Sequence, residues 1–482
     1  MTKFLLAGLL FISVSLALNA QKVAYEHKFD GYIEGDFLGF PDASGNMVTS
    51  YLSYINGTPK IYKTHLVFKT ANETKDIVFP GKLIISGYSY DDRSFTFFYQ
   101  NQFAVDDNQP VIDMIQISKD GLEMLGSGKL EYEGESIISN FQYNGLYYLI
   151  TASKSKEDLI VRTISGPDQV NKRVFSVSKN TARKLSKMRF SFIQDDFEMP
   201  IQHIVFKNKI FFHDNKLIMI TPTSLGDSKE GQLNLVSLDL DSKSTGLKHF
   251  SHKFGSYNYF PYKGKLYFIH LNKKALILQI RGVDDLTVIR EYSYTPDKEV
   301  NIFNSPVYKE TEVVELDADK NLAKQKFKEI GVGEEFINVI GSGDEIKLMI
   351  GSAVFPGQKN LIPGQKTVST PASPGYYKIL EFSSGTYNKP GYKPETYMSY
   401  TIDDATKYYV YGYLNASDYT VSTGQHDHFS AYYNIESFVE KERDIKKSRI
   451  SSYNIYNSLK NIYLISYSKK SNMLTVRSWD GM

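Results

Sequence analysis

One short pattern recurs along this chain: a turn residue, a brief aromatic-aliphatic strand, a polar gap, and a second strand that ends in charged turn residues. It reads Asn144-Gly145-Leu146-Tyr147-Tyr148-Leu149-Ile150 with Asp158-Leu159-Ile160-Val161-Arg162. It returns as residues 215–220 with 233–239, and again as 264–269 with 275–280. Weaker copies run at 93–99 with 111–118, 345–350 with 376–381, 406–411 with 432–435, and 461–466 with 473–478. A unit that cannot bury both of its faces alone must stack on its neighbours, so the repetition predicts an array of small sheets.

Two all-β architectures can be built from such units. In a membrane barrel, lipid-facing and lumen-facing residues alternate strictly. In a propeller, the strands inside each sheet are covered on both faces and read as unbroken apolar runs. Leu146 to Ile150, Leu217 to Ile220 and Leu266 to Ile269 are unbroken. The pattern therefore resembles the β-propeller superfamily, without the repeating Gly-His and Trp-Asp signatures of WD repeats. That resemblance implies seven blades, with six or eight as the alternatives, and short helical or loop insertions. The stretch 23–37, or the one after it, is expected to complete the blade begun near Asn461. Helical insertions are expected at 319–330 and 436–449, and residues 356–374 form a long Pro/Gly/Ser-rich loop holding a tandem Pro-Gly-Gln-Lys pair.

Residues 1–20 have a positive Lys3, an apolar run from Phe4 to Leu18 and a small residue, Ala20, before Gln21. They are expected to be a secretory signal peptide, leaving 21–482 as one propeller domain. The chain has no cysteine, which excludes disulfides, thiolate metal sites, a cysteine nucleophile and a lipid-modified N-terminal cysteine. No later stretch is apolar over the roughly 18 residues a membrane helix needs. An exported product without a transmembrane anchor, periplasmic or extracellular in a bacterial host, is the expectation. The formal net charge is +2, without the basic excess of a nucleic-acid binder, and a monomer is expected. The 36 tyrosines and 30 phenylalanines face a single tryptophan, Trp479, and the first two types favour half-buried strands. Most are read as sheet core.

No catalytic constellation assembles in the linear sequence. His426-Asp427-His428 places two imidazoles on one side of a strand but has no identifiable third ligand, so it is read as a solvated loop, and no metal or cofactor is assigned. Asp317-x-Asp319-x-Asn321 begins like a calcium loop but carries Leu322 and Lys328 where glycine and a carboxylate belong. Gly126-Ser127-Gly128-Lys129 lacks the remaining residues of a phosphate loop and is read as a turn. The pairs Asp106-Asp107, Asp284-Asp285 and Asp403-Asp404 are read as turn acids. Residues 172–189 hold seven basic side chains and no acid, with Phe175, Leu185 and Met188 interleaved and Asn180 as the expected helix cap. Lys172, Arg173, Arg183, Lys184, Lys187 and Arg189 are accordingly the candidate binding residues for an acidic glycan or lipid head groups, against a reading as a solvated face.

The functional expectation is a non-enzymatic binding protein that takes a protein or glycan partner through its channel face or inter-blade loops. Two alternatives stand beside it. One is a propeller hydrolase or lyase acting on a polysaccharide, with acids, histidines and tyrosines converging from different blades. The other is a surface assembly factor that uses the basic segment or the Pro/Gly loop.

Overall fold

The computed structural model describes residues 21–29, 32–55, 61–69, 74–101, 111–121, 123–153, 157–194, 199, 201–223, 225, 232–251, 256–298, 300–354, 367–369, 398–400, 405–422, 435, 438–439, 442, 452–457, 461–468 and 470–480. Among them the chain is an all-β propeller, built from seven sheets of four or five strands and one two-stranded sheet.

Sheet 1 runs Tyr32–Pro41, Met47–Ile55, Ile61–Lys69, Thr74–Pro80. Sheet 2 runs Leu83–Tyr90, Ser94–Asn101, Val111–Ser118, Met124–Glu131, and sheet 3 runs Glu135–Tyr143, Leu146–Ser153, Asp158–Gly166, Gln169–Ser176. Sheet 4 runs Lys209–His213, Lys216–Thr221, Gln232–Asp239, Thr245–Ser251, with Ser191–Phe192 added in parallel beside its first strand. Sheet 5 runs Asn258–Tyr262, Lys265–Asn272, Ala275–Gly282, Val288–Tyr294. Sheet 6 orders Glu334–Ser342, Glu345–Val354, Thr406–Asn415 and the hairpin Tyr308–Lys309, Glu312–Val313. Sheet 7 orders Ser452–Asn457, Asn461–Ser468, Met473–Asp480 and then Gln21–Lys28, with Gln21 opposite Trp479.

In sheets 3, 4 and 5 the second and third strands are covered on both faces, which is why they read as apolar runs: Leu146–Ser153 is buried almost throughout. Fourth strands face solvent, as in Gln169–Ser176 and Val288–Tyr294. Aromatic rings weld neighbouring sheets. Phe40 packs edge-on against Phe97 between sheets 1 and 2 (5.2 Å), Phe98 stacks on Tyr147 between sheets 2 and 3 (4.1 Å), and Phe141 stacks on Phe192 between sheets 3 and 4 (3.9 Å). Sheets 7 and 1 meet through the Phe37–Tyr467 ring pair at 5.2 Å and a 2.9 Å hydrogen bond from Tyr456 to the Phe37 carbonyl. The expectation that tyrosine and phenylalanine are mostly core holds at these joints.

Several expectations shift. Residues 345–350 and 406–411 are neighbouring strands of one sheet, with Ile350 opposite Val410, not the starts of two units. The unit they leave unfilled is sheet 1, whose Ser, Thr and His positions dilute its apolar runs. The expected partner of 345–350, residues 376–381, lies outside the described residues, as does the 432–434 part of the other. Closure uses Gln21–Lys28 as expected, but residues 32–37 belong to sheet 1. Gly126 to Lys129 sits inside strand Met124–Glu131 rather than in a turn. The helix Lys179–Leu185 (α1) is capped by Ser178, which accepts from the Thr181 N–H, not by Asn180. Ile201–Ile204 (α2) follows, and Leu322–Ile330 (α3) forms where expected, capped by Asn321. Most of residues 436–449 lie outside the described set.

The turn joining the first two strands of one sheet packs against the turn joining the last two strands of the next. Between sheets 1 and 2 this joint is an ion pair. The fully buried Asp42 carboxylate accepts from Lys119 Nζ (2.5 Å), the Ser44 and Asn46 N–H groups (2.9 and 2.8 Å) and Asn46 Nδ2 (2.8 Å). Burial alone would raise this carboxyl, but the hydrogen bonds from Lys119 and Asn46 outweigh it and hold its pKa below the usual value. A carboxyl lowered in the fold lends stability above its unfolded pKa of about 3.9, which is lost as pH falls through the folded value. Urea midpoints between about pH 5 and pH 2 should therefore fall less steeply for Asp42→Asn than for the parent, with the variant already destabilised at neutral pH.

Candidate functional site

The joint between sheets 4 and 5 has the same construction with different chemistry. Three successive first hairpins close in two-residue turns with φ positive at both positions: Asn144-Gly145 (49°, 77°), Asp214-Asn215 (46°, 57°) and Lys263-Gly264 (43°, 69°). Such turns match the strand twist and favour Asn, Asp and Gly. They bring Tyr143, His213 and Tyr262 to one edge of three adjacent sheets. Tyr143 stacks on Phe212 (4.5 Å, 17° between ring planes), and Lys263 lies over the Tyr262 ring at 5.3 Å. With Gln194 and Gly264 these residues line a shallow surface cleft open to solvent.

At its edge His213 Nε2 lies 3.2 Å from Asp284 Oδ2 and 3.4 Å from Asp214 Oδ2, and one ligand atom from each residue falls within 4.8 Å of the others. Asp284 comes from the turn after Ala275–Gly282 in sheet 5, as expected for a turn acid, so the trio spans two sheets. Gly264 makes room for it, since a Cβ there would stand 2.8 Å from His213 Cε1.

A second polar cluster is enclosed at the opposite ends of the first strands in sheets 4, 5 and 6. Lys209, without exposed surface, donates to Asn258 Oδ1 (2.6 Å) and the Phe206 carbonyl and lies over the Tyr259 ring at 4.6 Å. Asn258 Nδ2 donates to the carbonyls of Ile204, Val205 and Glu335 at 2.8–3.1 Å. Burial, helped by the Lys207 charge, lowers the Lys209 pKa well below the usual lysine value. A perturbed lysine can mark a catalytic base, but this ammonium is enclosed by protein partners and has no substrate path. It is a structural tie.

A third arrangement looks catalytic by distance. Ser53 Oγ is 2.7 Å from His65 Nε2, and His65 Nδ1 is 2.9 Å from Asp76 Oδ2, on three consecutive strands of sheet 1. Tyr51 donates to Asp76 Oδ2 (3.2 Å) and stacks on the imidazole at 4.2 Å. Acyl transfer also needs N–H donors aimed at a developing oxyanion. Met47–Ile55 is paired on both sides, with Ser53 opposite Ile33 and Lys63, which commits its N–H groups to the sheet. The line ties three strands together.

The sequence-predicted residues fall elsewhere. Lys172 and Arg173 lie on the outer strand of sheet 3, Arg183 and Lys184 on α1, and Lys187 and Arg189 just beyond it. The interleaved Phe175 and Leu185 are fully buried, so the apolar members of this segment serve the core. Asp317 accepts from the Asp319 N–H (3.1 Å) and pairs with Lys320 (2.6 Å), a local turn ahead of the α3 cap. Residues 426–428, 356–366 and 370–374, and the pairs at 106–107 and 403–404, lie outside the described residues. Linear reading missed the His213 trio because His213 and Asp284 stand 71 positions apart. The only signal was that each adjoins a turn.

No family model and no curated protein sequence matches the chain. Among solved structures it is similar to a Synechocystis apocarotenoid oxygenase mutant (13% identity, TM-score 0.30, 55% of this chain and 62% of that one). It is also similar to an uncharacterized Listeria monocytogenes protein (12% identity, TM-score 0.29, 67% and 82%) and to Porphyromonas gingivalis dipeptidyl peptidase 4 (8% identity, TM-score 0.32, 65% and 42%). The chain thus spans about three fifths of the length of the oxygenase. No residue role is carried over at these scores.

Proposed function

We propose that this chain is an exported, non-enzymatic β-propeller that binds a glycan, with a protein partner as the alternative, through the inter-blade turns of sheets 3, 4 and 5. The observation that carries the reading is the open cleft walled by Tyr143, Phe212 and Tyr262 and edged by Gln194 and Lys263. Aromatic faces and edges accept the apolar side of a sugar ring, while the amide and ammonium supply hydrogen bonds that fix its orientation. The enzyme alternative, a polysaccharide hydrolase or lyase, finds weaker support. The acids Asp214 and Asp284 beside the cleft share one imidazole and are largely exposed, without the apolar burial that raises a catalytic acid.

A glycan array probed with the purified full chain tests the proposal. Selective retention of a glycan class is expected, with affinity about tenfold weaker in Tyr143→Ala and in Lys263→Ala. Retention of no glycan, or equal retention by parent and variants, would overturn it.

A further inference from the structure

We propose that His213, Asp214 and Asp284 form a binding site for a first-row divalent cation, Zn²⁺ in the first place. Zinc bonds nitrogen and carboxylate oxygen at about 2.0–2.2 Å, so two ligands on a tetrahedral ion stand roughly 3.3 Å apart. The Nε2–Oδ separations of 3.2 and 3.4 Å match that edge. They are long for charge-assisted hydrogen bonds, which prefer about 2.7–2.9 Å. One imidazole also faces two carboxylates here, and a single Nε2 proton cannot serve both well, whereas a dication satisfies all three donors.

The donor set narrows the metal. Calcium asks for six to eight oxygens and magnesium for an octahedral, largely hydrated shell, while imidazole with carboxylates suits zinc and its neighbours. Local structure supports the geometry. Asp214 is held at φ 46° in its hairpin turn, and Gly264 leaves space for the imidazole. Three protein ligands leave one position open, as in zinc sites that take an exogenous ligand. Because the ligands come from sheets 4 and 5, the ion would also bridge two sheets beside Phe212 and the cleft. The site does not depend on what the cleft binds.

Isothermal titration of the metal-free full chain with Zn²⁺ alone provides the test. One saturable equivalent is expected, with affinity at least about tenfold weaker in His213→Ala and in Asp284→Asn. It should be unchanged in Asp297→Asn, an exposed turn acid beyond the last strand of sheet 5. Asp284 is 66% exposed, so its variant should fold even if His213→Ala does not. Absence of a saturable equivalent, or Asp284→Asn binding as tightly as the parent, would overturn the proposal. A failed glycan array with retained Zn²⁺ binding would leave the metal site standing, since the two readouts are separate.

Discussion

Arg162→Ala should destabilise this protein by about 3–5 kcal/mol, the cost typical of removing one partner from a buried ion pair. Arg162 and Glu135 are 4% and 8% exposed and meet in a two-pronged contact, Nη1 to Oε2 at 2.6 Å and Nη2 to Oε1 at 2.7 Å. Thr151 donates a further hydrogen bond to the same carboxylate, and Arg162 Nη1 also reaches its hydroxyl at 3.2 Å. The three residues sit on the first three strands of sheet 3, so truncation leaves a carboxylate inside the sheet without its cation. Burial would raise the Glu135 pKa, and the Arg162 and Thr151 bonds outweigh it to leave it below the usual value. The variant reverses that balance. Urea unfolding reads the loss as a lower midpoint at unchanged slope. The double variant Arg162→Met, Glu135→Leu should recover most of the loss, because an apolar pair of similar volume needs no compensating charge. A midpoint within the scatter of surface substitutions would show that water reaches the pair.

Asn258→Ala should cost a similar amount, about 3–5 kcal/mol, by a different route. Its carboxamide oxygen accepts from Lys209 and from the Tyr259 N–H, and its two amide hydrogens are shared among the carbonyls of Ile204, Val205 and Glu335. Deletion leaves Lys209 with only the Phe206 carbonyl and takes the amide donor from buried carbonyls at the meeting of sheets 4, 5 and 6. Adding Lys209→Met should restore part of the stability, since it removes the buried amine that has lost its Asn258 partner. Additive losses in the double variant, measured by the same urea midpoints, would mean that the two side chains act independently.

How much of this was legible in the sequence follows from which strands are covered on both sides. Leu146–Ser153 and Lys265–Asn272 are buried almost end to end, and their apolar runs announced sheets 3 and 5 directly. Fourth strands such as Gln169–Ser176 face water and read as polar linkers. Sheet 6 was misdivided because its second and third strands, Glu345–Val354 and Thr406–Asn415, are separated by a long insertion, and each resembles the start of a unit. The site was almost illegible. Tyr143, His213 and Tyr262 each stand at the same place in successive hairpins, just before a two-residue turn, and only stacking the sheets brings them together. The basic segment at 172–189 buries Phe175, Ala182 and Leu185, so its apolar positions belong to the core.

Sheet 7 takes its fourth strand from residues 21–28 and its other three from residues 452–480. Until residues 452–480 have been made, the strand Gln21–Lys28 has no partner, and sheet 1 has nothing to cover the face that Tyr456 and Tyr467 will occupy. Sheet 7 can be completed only once residues 473–480 are available to pair with Gln21–Lys28, so the sheets between can form before it. The entropy of joining ends so far apart grows only by about 0.6 kcal/mol per doubling of the loop. Waiting time rather than equilibrium stability is therefore what this closure controls. During that wait Gln21–Lys28 is an unpaired strand edge, the kind of surface that recruits other chains. Its alternating charged residues, Lys22, Glu26 and Lys28, serve as guards against premature pairing.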